Sequence, residues 1–527
     1  TWLYAMRKVL IIGVDGATFD IIEPFAQEGK LPLFKKLMEE GCFGNLKSVV
    51  PALTPPGWTS GFTGVNLGKH NIYDFFSFDR INKNLKLVSS KDRKYPALWE
   101  ILSQEGIKIG AFNVPCSYPV DQVNGFMVSG MATPEEGENY CYPQEIKRIL
   151  NDNGKYRFGA DSHFLERGEI EKFLLDIYKV TENQEEKALT IIKKFDPDVF
   201  LFVYDEVDRV MHFFWHDFDK THPLHNPHSK FKDAILKYYQ RIEKGIEKFI
   251  DAFENKCDII IFSDHGFGSL LKDVYVNYLL YKWGFLEVNS YAKEYLKKPL
   301  WKRIIKNIVP SHLRSFFRKK LKSSPLSNPL GFIDFEKSKA FYSSVSGRSI
   351  IILDEKNRDK IAKDLKEKLE SYIDSELNLK PFEKVFLREE IYSGEYVENA
   401  PDILIKENGK YAFKSDWSNC EIKISTQYGA VKSGSHRENG ILIFYGESFE
   451  KGKKIEKASL IDVTPTILYL LNLPIGKEMD GKVLSQFIKE KREIKFKNYK
   501  DFMLKKSFSA EEDEEAIKEK LKNLGYM

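Results

Sequence analysis

Residues 258–267 read Asp-Ile-Ile-Ile-Phe-Ser-Asp-His-Gly-Phe, and the rest of the chain is interpreted outward from them. Ile259, Ile260, Ile261 and Phe262 form an apolar run without polar alternation. That is the pattern of a strand covered on both faces in a parallel sheet. The run stops at Ser263, and Asp264 and His265 follow at once. Ligands of open α/β sheets bind just beyond the carboxyl ends of the strands. A carboxylate and an imidazole side by side there supply a hard oxygen and a borderline nitrogen to one divalent metal. Taken alone, the stretch also reads as a strand-to-turn junction, with Asp264 and His265 capping and Gly266 in a turn conformation.

The same pattern recurs. Val9 to Val14 is an apolar run that ends in Asp15-Gly16; its Asp reads as a metal ligand or as the cap of a following helix. Residues 198–204 form another apolar run leading into Asp205-Glu-Val-Asp208-Arg-Val-Met-His212. Asp208 and His212 are four apart, so a helix puts them on one face, free to share a metal or to pair with each other. Asp205 is a rival ligand with poorer spacing. His436 lies in a glycine-containing loop, Ser433-Gly-Ser-His436, before a strand over 441–445. Residues 107–114 form a further strand, 171–194 a helix with a charged outer face, and 134–159 a loop-rich insertion over the site. His216, His222, His225 and His228 read as an exposed polar loop rather than a metal tract.

Thr54 precedes Pro55-Pro56. Proline suits the first helical turn, which makes Thr54 a helix N-cap whose neighbouring free N–H groups favour an anion. Its hydroxyl could cap that helix or attack a phosphoryl group bound beside it. Thr59, Ser60 and Thr63 are rival hydroxyls.

Composition bounds these readings. The chain has 527 residues, 42% of them hydrophobic, enough for a large core. Its formal charge of +4 comes from 81 basic and 77 acidic residues, so no nucleic-acid partner is expected. Five scattered cysteines without a Cys-x-x-Cys pair fit a reducing, cytoplasmic compartment. No run approaches the roughly 18 apolar residues of a membrane span. Residues 293–322 hold eleven Lys or Arg and one acid, with apolar residues at helical spacing. Such a basic amphipathic helix is a lid docked on the domain or a peripheral membrane contact. It interrupts the strand–helix rhythm, so 286–424 reads as an inserted cap region between the catalytic segments 6–285 and 425–490, with a helical tail over 491–527.

Asp15, Thr54-Pro-Pro, Asp208-x-x-x-His212, Ser263-Asp264-His265-Gly266 and His436 occur in one order, followed by Asp462-Val-Thr-Pro-Thr and Met479-Asp480-Gly481. Together they resemble the type I phosphodiesterase/nucleotide pyrophosphatase family of the alkaline phosphatase superfamily. The resemblance implies an α/β fold with a mostly parallel central sheet flanked by helices. It also implies two divalent metals, usually zinc, with Mn2+ or Mg2+ as alternatives. Asp15, Thr54, Asp264 and His265 would surround one metal, and Asp208, His212 and His436 would hold the other. Thr54 would be the nucleophile. The reaction implied is hydrolysis of a small or lipid-like phosphate ester, of phosphodiesterase or pyrophosphatase type.

One departure stands out. The nucleotide pyrophosphatase branch carries Asn three residues after the nucleophile, where this chain has Gly57. Another donor, Lys432 or Arg437, would have to hold a phosphate oxygen instead. Phosphomonoesterase and phosphonate hydrolase activities remain alternatives. Sulfatases use a modified Cys or Ser and phosphoglycerate-type mutases a Ser, so Thr54 argues against both. A non-enzymatic membrane- or partner-binding protein would leave the ordered ligand set without a purpose.

Overall fold

The computed structural model describes residues 8–134, 137–152, 154–290, 292–293, 329–343, 348–415, 417, 421–424, 426–427 and 430–503. Its centre is a sheet that runs Lys453–Lys454, Cys42–Lys47, Asn439–Tyr445, Cys257–Phe262, Lys8–Val14, Val199–Tyr204, Ile109–Val114, Gly125–Ser129, Cys141–Tyr142. Neighbours from Cys257–Phe262 through Gly125–Ser129 are parallel. Asn439–Tyr445 is antiparallel to both of its neighbours. The sheet is therefore mostly parallel, in an α/β fold.

Period-two alternation explains why the strand sequences are apolar throughout. Leu10, Ile12, Phe200, Phe202, Ile259 and Ile261 face one buried layer. Val9, Ile11, Val199, Leu201, Ile260 and Phe262 face the other. The first layer is closed by the helices Phe19–Gln27, Pro32–Glu40, Ile170–Phe195, Glu206–Phe218 and Ala234–Ala252. The second is closed by Thr54–Thr63, Leu98–Gln104 and Val463–Leu470. Each isoleucine taken out of water in this way contributes roughly 1.5–3 kcal/mol.

The register brings the functional strand tips to one level. Gly13 lies opposite both Val203 and Phe262. Asp15, Asp205 and Asp264 therefore leave adjacent parallel strands at the same end, on sequence segments far apart.

A second core lies apart from the sheet. The strands Ala340–Tyr342, Ser349–Ile352, Ile403–Glu407 and Phe382–Leu387 form a four-stranded antiparallel sheet. The helices Arg358–Ser371 and Val276–Lys282 pack into the same cluster. Arg348 donates to the Ala52 carbonyl at 2.8 Å, and Tyr392 Oη donates to that of Val50 at 2.6 Å. The residues just before Thr54 are thus held by this second unit.

Three sequence expectations need adjustment. Segment 134–159 does not roof the site. Its Cys141–Tyr142 strand pairs at the far sheet edge, and Tyr140, Tyr156 and Phe158 pack into the first core layer. The loop of histidines is not uniformly exposed: His222 is buried, its Nε2 at 3.0 Å from the Leu270 carbonyl. The expected basic helix of 293–322, from residue 294 on, and the tail helix from 504 on fall outside the described residues. Among the described residues no helix is long and apolar enough to cross a membrane, and Cys42, Cys116, Cys141 and Cys257 form no disulfide.

The central strands carry the fold, so Ile261→Ala should cost about 2–5 kcal/mol of stability. A lowered midpoint in chemical denaturation measures it; an unchanged midpoint would contradict the two-sided burial of this strand.

Candidate metal centre

Asp15 follows the Lys8–Val14 strand directly, and Asp264 and His265 follow Cys257–Phe262. Asp208 and His212 lie one turn apart on the Glu206–Phe218 helix, and His436 is on the short strand Gly434–Arg437. The last pairs with Gly266–Ser269, setting His436 opposite Phe267. All six side chains are buried. Asp208, His212 and His436 bring one ligand atom each within 4.8 Å of one another, and so do Asp15, Asp208 and His265. Asp208 thus belongs to both groups, where the sequence assigned it to one.

The contacts inside the cluster are short. His436 Nε2 lies 3.1 Å from one Asp208 oxygen and His212 Nε2 3.3 Å from the other. His265 Nε2 is 3.4 Å from both Asp15 Oδ1 and Asp264 Oδ2. The two Nε2 atoms of His212 and His436 are 3.3 Å apart, and the His265 and His436 rings stack at 3.7 Å.

The outer nitrogens explain this orientation. His212 Nδ1 meets the Gly434 carbonyl at 2.6 Å, His265 Nδ1 that of Gly266 at 3.0 Å, and His436 Nδ1 that of Ala52 at 3.0 Å. A carbonyl only accepts, so each Nδ1 carries the proton and each neutral ring turns a lone pair inward. Those lone pairs meet carboxylate oxygens, acceptor against acceptor. Asp15 Oδ1, Asp264 Oδ2, His265 Nε2 and Thr54 Oγ1 are buried without a hydrogen-bond partner. Such a donor set fits cations: carboxylates and imidazoles are ordinary ligands of zinc and related divalent metals.

The electrostatics agree. Burial, then repulsion from Asp264 and Asp208, raises the Asp15 carboxyl well above its ordinary value. Burial raises Asp264 too, with the Gly16 N–H opposing and Asp208 reinforcing it. Burial lowers His265 far below normal, lowers His436, and brings His212 down to about 4. The rings are neutral ligands near pH 7.

Thr54 is not the helix cap. Leu53, in extended conformation, is the cap residue, and Thr54 opens the Thr54–Thr63 helix. Pro55 and Pro56 have no N–H, and the Gly57 N–H is already bonded to the Leu53 carbonyl at 2.8 Å. A Thr54 cap would find no donor, and the expected ring of free N–H groups is largely missing. The rival hydroxyls are occupied or elsewhere. Ser60 Oγ is 2.8 Å from His70 Nε2, Thr63 donates to the Thr59 carbonyl at 2.7 Å, and Thr59 lines a separate hollow with Arg93 and Trp99. Asp205 is also set aside: it accepts from Asn113 Nδ2 at 3.0 Å, and burial, then Glu206, pushes it up to about 8.

Several supporting residues escaped the sequence. Trp58, one turn after Thr54, donates to Asp15 Oδ2 at 3.0 Å. Ser48 Oγ donates to the Asp264 carbonyl at 2.5 Å, and Ser263 Oγ to that of Ala17 at 3.0 Å. At Gly57, a Cβ would come 3.0 Å from the Asp264 Cβ. Glycine there lets the first helical turn lie against the strand tip, and a side chain such as asparagine would press on Asp264. The Asp462 and Asp480 motifs are structural: Thr464 Oγ1 donates to the Gly61 carbonyl at 2.8 Å, and the Asp480 and Gly481 N–H groups to that of Gly64 at 3.0 and 3.1 Å. They clamp the end of the Thr54 helix.

Known proteins bear on this arrangement. No curated protein sequence matches the chain significantly. Among solved structures, phosphonoacetate hydrolase from Sinorhizobium meliloti 1021, in complex with phosphonoacetate, is 13% identical. It matches over 89% of this chain and 96% of its own, with a TM-score of 0.53. An inactive murine ectonucleotide pyrophosphatase/phosphodiesterase 5 in complex with AMP is 14% identical over 92% of this chain and 100% of its own, with a TM-score of 0.51. The human protein of that name gives 14%, 92%, 100% and 0.52. These likenesses are of fold. The family model described as type I phosphodiesterase / nucleotide pyrophosphatase matches residues 9–436. A match over most of the chain makes this protein a phosphoric ester hydrolase of the type I phosphodiesterase/nucleotide pyrophosphatase family, in the alkaline phosphatase superfamily.

Proposed function

We propose that the protein hydrolyses phosphodiesters or pyrophosphates with Thr54 as nucleophile. Asp15, Asp264 and His265, with the Thr54 oxygen, would hold one divalent cation. Asp208, His212 and His436 would hold a second. Zinc is the metal expected from three imidazoles with carboxylates. Bound there, such cations would neutralise the non-bridging oxygens and lower the pKa of the threonine hydroxyl. The observation that carries the reading is the buried Thr54 Oγ1 without a hydrogen-bond partner, on a helical turn packed against Asp264.

The chain's own groups supply the positioning. Thr54 Oγ would form a bond to phosphorus as the bond to the leaving oxygen breaks, with the hydroxyl proton passing through solvent to the leaving oxygen; water would then attack phosphorus, break the Oγ–P bond and return a proton to Thr54 as phosphate leaves. Trp58 fixes the rotamer of Asp15, and the Gly434, Gly266 and Ala52 carbonyls fix the three rings. No separate base would be needed for a hydroxyl whose pKa a bound cation lowers. Phosphonate hydrolysis is the second reading, favoured by the fold shared with phosphonoacetate hydrolase and by Gly57 standing in place of asparagine. We take 6–285 with 425–490 as the catalytic unit, 286–424 as its cap, 491–527 as a tail, and the cytoplasm as its compartment.

Thr54→Ala should keep its metal content and lose at least about a thousandfold in kcat on an aryl phosphodiester, while Thr54→Ser keeps part of it. Elemental analysis beside a steady-state assay decides the point; near-normal turnover of Thr54→Ala would reject this nucleophile.

Metal loading should release protons. Burial and mutual repulsion raise the Asp15 and Asp264 carboxyls above their ordinary pKa in the metal-free protein, and ligation needs both ionised. Apparent affinity should therefore rise as pH rises. Calorimetric titration of metal-stripped protein in two buffers of different ionisation enthalpy measures the release, and identical heats would contradict it.

A further inference from the structure

The Ala52 carbonyl lies two residues before Thr54 and serves two donors. His436 Nδ1 meets it at 3.0 Å, and Arg348 Nη1 at 2.8 Å. A carbonyl oxygen has two lone pairs and can accept both at once. One donor belongs to the Asp208 group of ligands; the other comes from the second unit. Beyond this oxygen the chain passes through Leu53, extended at φ −134° and ψ 151°, and turns into the helix at Thr54. The direction of this one peptide group therefore bears on the His436 ring and on the course of the chain into Thr54.

Arg348 is held firmly enough to fix that direction. Its side chain is buried, and among the described residues it bonds to two groups: the Ala52 carbonyl through Nη1 and the Glu407 carboxylate through Nη2. Arg348 comes just before the strand Ser349–Ile352, and Glu407 ends the strand Ile403–Glu407. The two strands pair, with Ser349 opposite Leu404, and the Ile405 N–H donates to the Arg348 carbonyl at 2.7 Å. The residue is thus fixed at its backbone and at its guanidinium. The hairpin of Phe76–Asp79 and Asn84–Leu87 fastens this sheet in turn. Arg80, at its turn, donates to the Ile352 carbonyl at 2.9 Å and to Asp402 at 2.7 Å, and the Phe78 ring meets Phe341 edge-on at 4.8 Å. A planar guanidinium serves two partners in fixed directions, which a lysine ammonium does not.

We infer that Arg348 is a positioning residue for the reaction, acting through the Ala52 carbonyl that orients His436 and leads into Thr54. Among the described residues its side chain forms no hydrogen bond to a metal-binding side chain or to Thr54. Glu407 holds Arg348 in place from the other side. The inference rests on the two-cation reading proposed above, and it makes the second unit a working part of the metal centre rather than a removable cover. Outer groups that orient a metal ligand are worth about 10–100-fold in metal affinity or activity.

Cobalt titration of the metal-stripped protein, followed by visible absorption, tests this apart from turnover. Arg348→Gln should weaken cobalt binding by about tenfold and change the absorption of the loaded protein, and Arg348→Lys, which keeps a donor, should restore part of both. On an aryl phosphodiester the metal-loaded Arg348→Gln enzyme should lose about tenfold or more in kcat, with KM changed less than about threefold. Glu407→Gln should act in the same direction and less. Breaking one end of a buried ion pair can unfold a protein. The double variant Arg348→Gln, Glu407→Gln leaves no buried charge alone, and should show the same cobalt change at a near-normal thermal midpoint. Wild-type cobalt affinity and absorption in Arg348→Gln and in the double variant would overturn the inference. So would changes no larger than those of Tyr392→Phe, which releases the Val50 carbonyl but not that of Ala52. Should neither Arg348→Gln variant fold, unchanged cobalt absorption in Glu407→Gln would overturn it as well. A wild type that binds no cobalt overturns both readings; one that binds it and cleaves no phosphodiester rejects the proposed reaction alone.

Discussion

Three buried imidazoles in this protein point lone pairs at buried carboxyl groups. The arrangement follows from their outer nitrogens, each of which gives its proton to a backbone carbonyl and leaves the inner one bare. Each buried polar atom without a partner costs about 1–3 kcal/mol, and four lie together here. Desolvation and mutual repulsion can be offset by positive charge at the centre of the cluster. The carbonyls, the tryptophan and the serines around it all serve to keep that geometry in place before any ligand arrives.

The larger architecture is arranged to the same end. Parallel pairing brings Asp15 and Asp264 out of neighbouring strands at one level. The Thr54 helix is held at both ends by segments remote in sequence. Its start is fixed by the hold of Arg348 and Tyr392 on the Ala52 and Val50 carbonyls. Its end is fixed by Thr464, Asp480 and Gly481. Positioning of this kind matters because in-line phosphoryl transfer depends on small displacements of the attacking oxygen. The second unit therefore shapes the chemistry through its grip on residues 50–52, even though its own core is separate.

Gly57 illustrates how a family departure acquires a physical cause. Its missing side chain lets the first turn of the helix approach Asp264 to van der Waals contact. Whatever anchors the phosphate in relatives with asparagine must be arranged otherwise in this protein.

Much of this was readable from local patterns. Continuous apolar runs marked the buried strands, because a strand covered on both faces has no solvent side to record. Acids at their tips marked the site, because a parallel sheet exposes its functional ends there, and the Asp208–His212 spacing marked a shared helical face. What local pattern could not contain were relations between distant segments. Whether Thr54 caps its helix depended on which residue came to rest extended before two prolines. His222 is buried because a carbonyl at Leu270 reaches it. Asp208 serves both ligand groups because the strand of Asp15 and the loop of His436 meet around it. Sequence by itself determined the elements and their chemistry, since these follow from periodicity and side-chain type; only the tertiary structure decided which polar atoms were left facing one another, since that depends on packing between segments hundreds of residues apart.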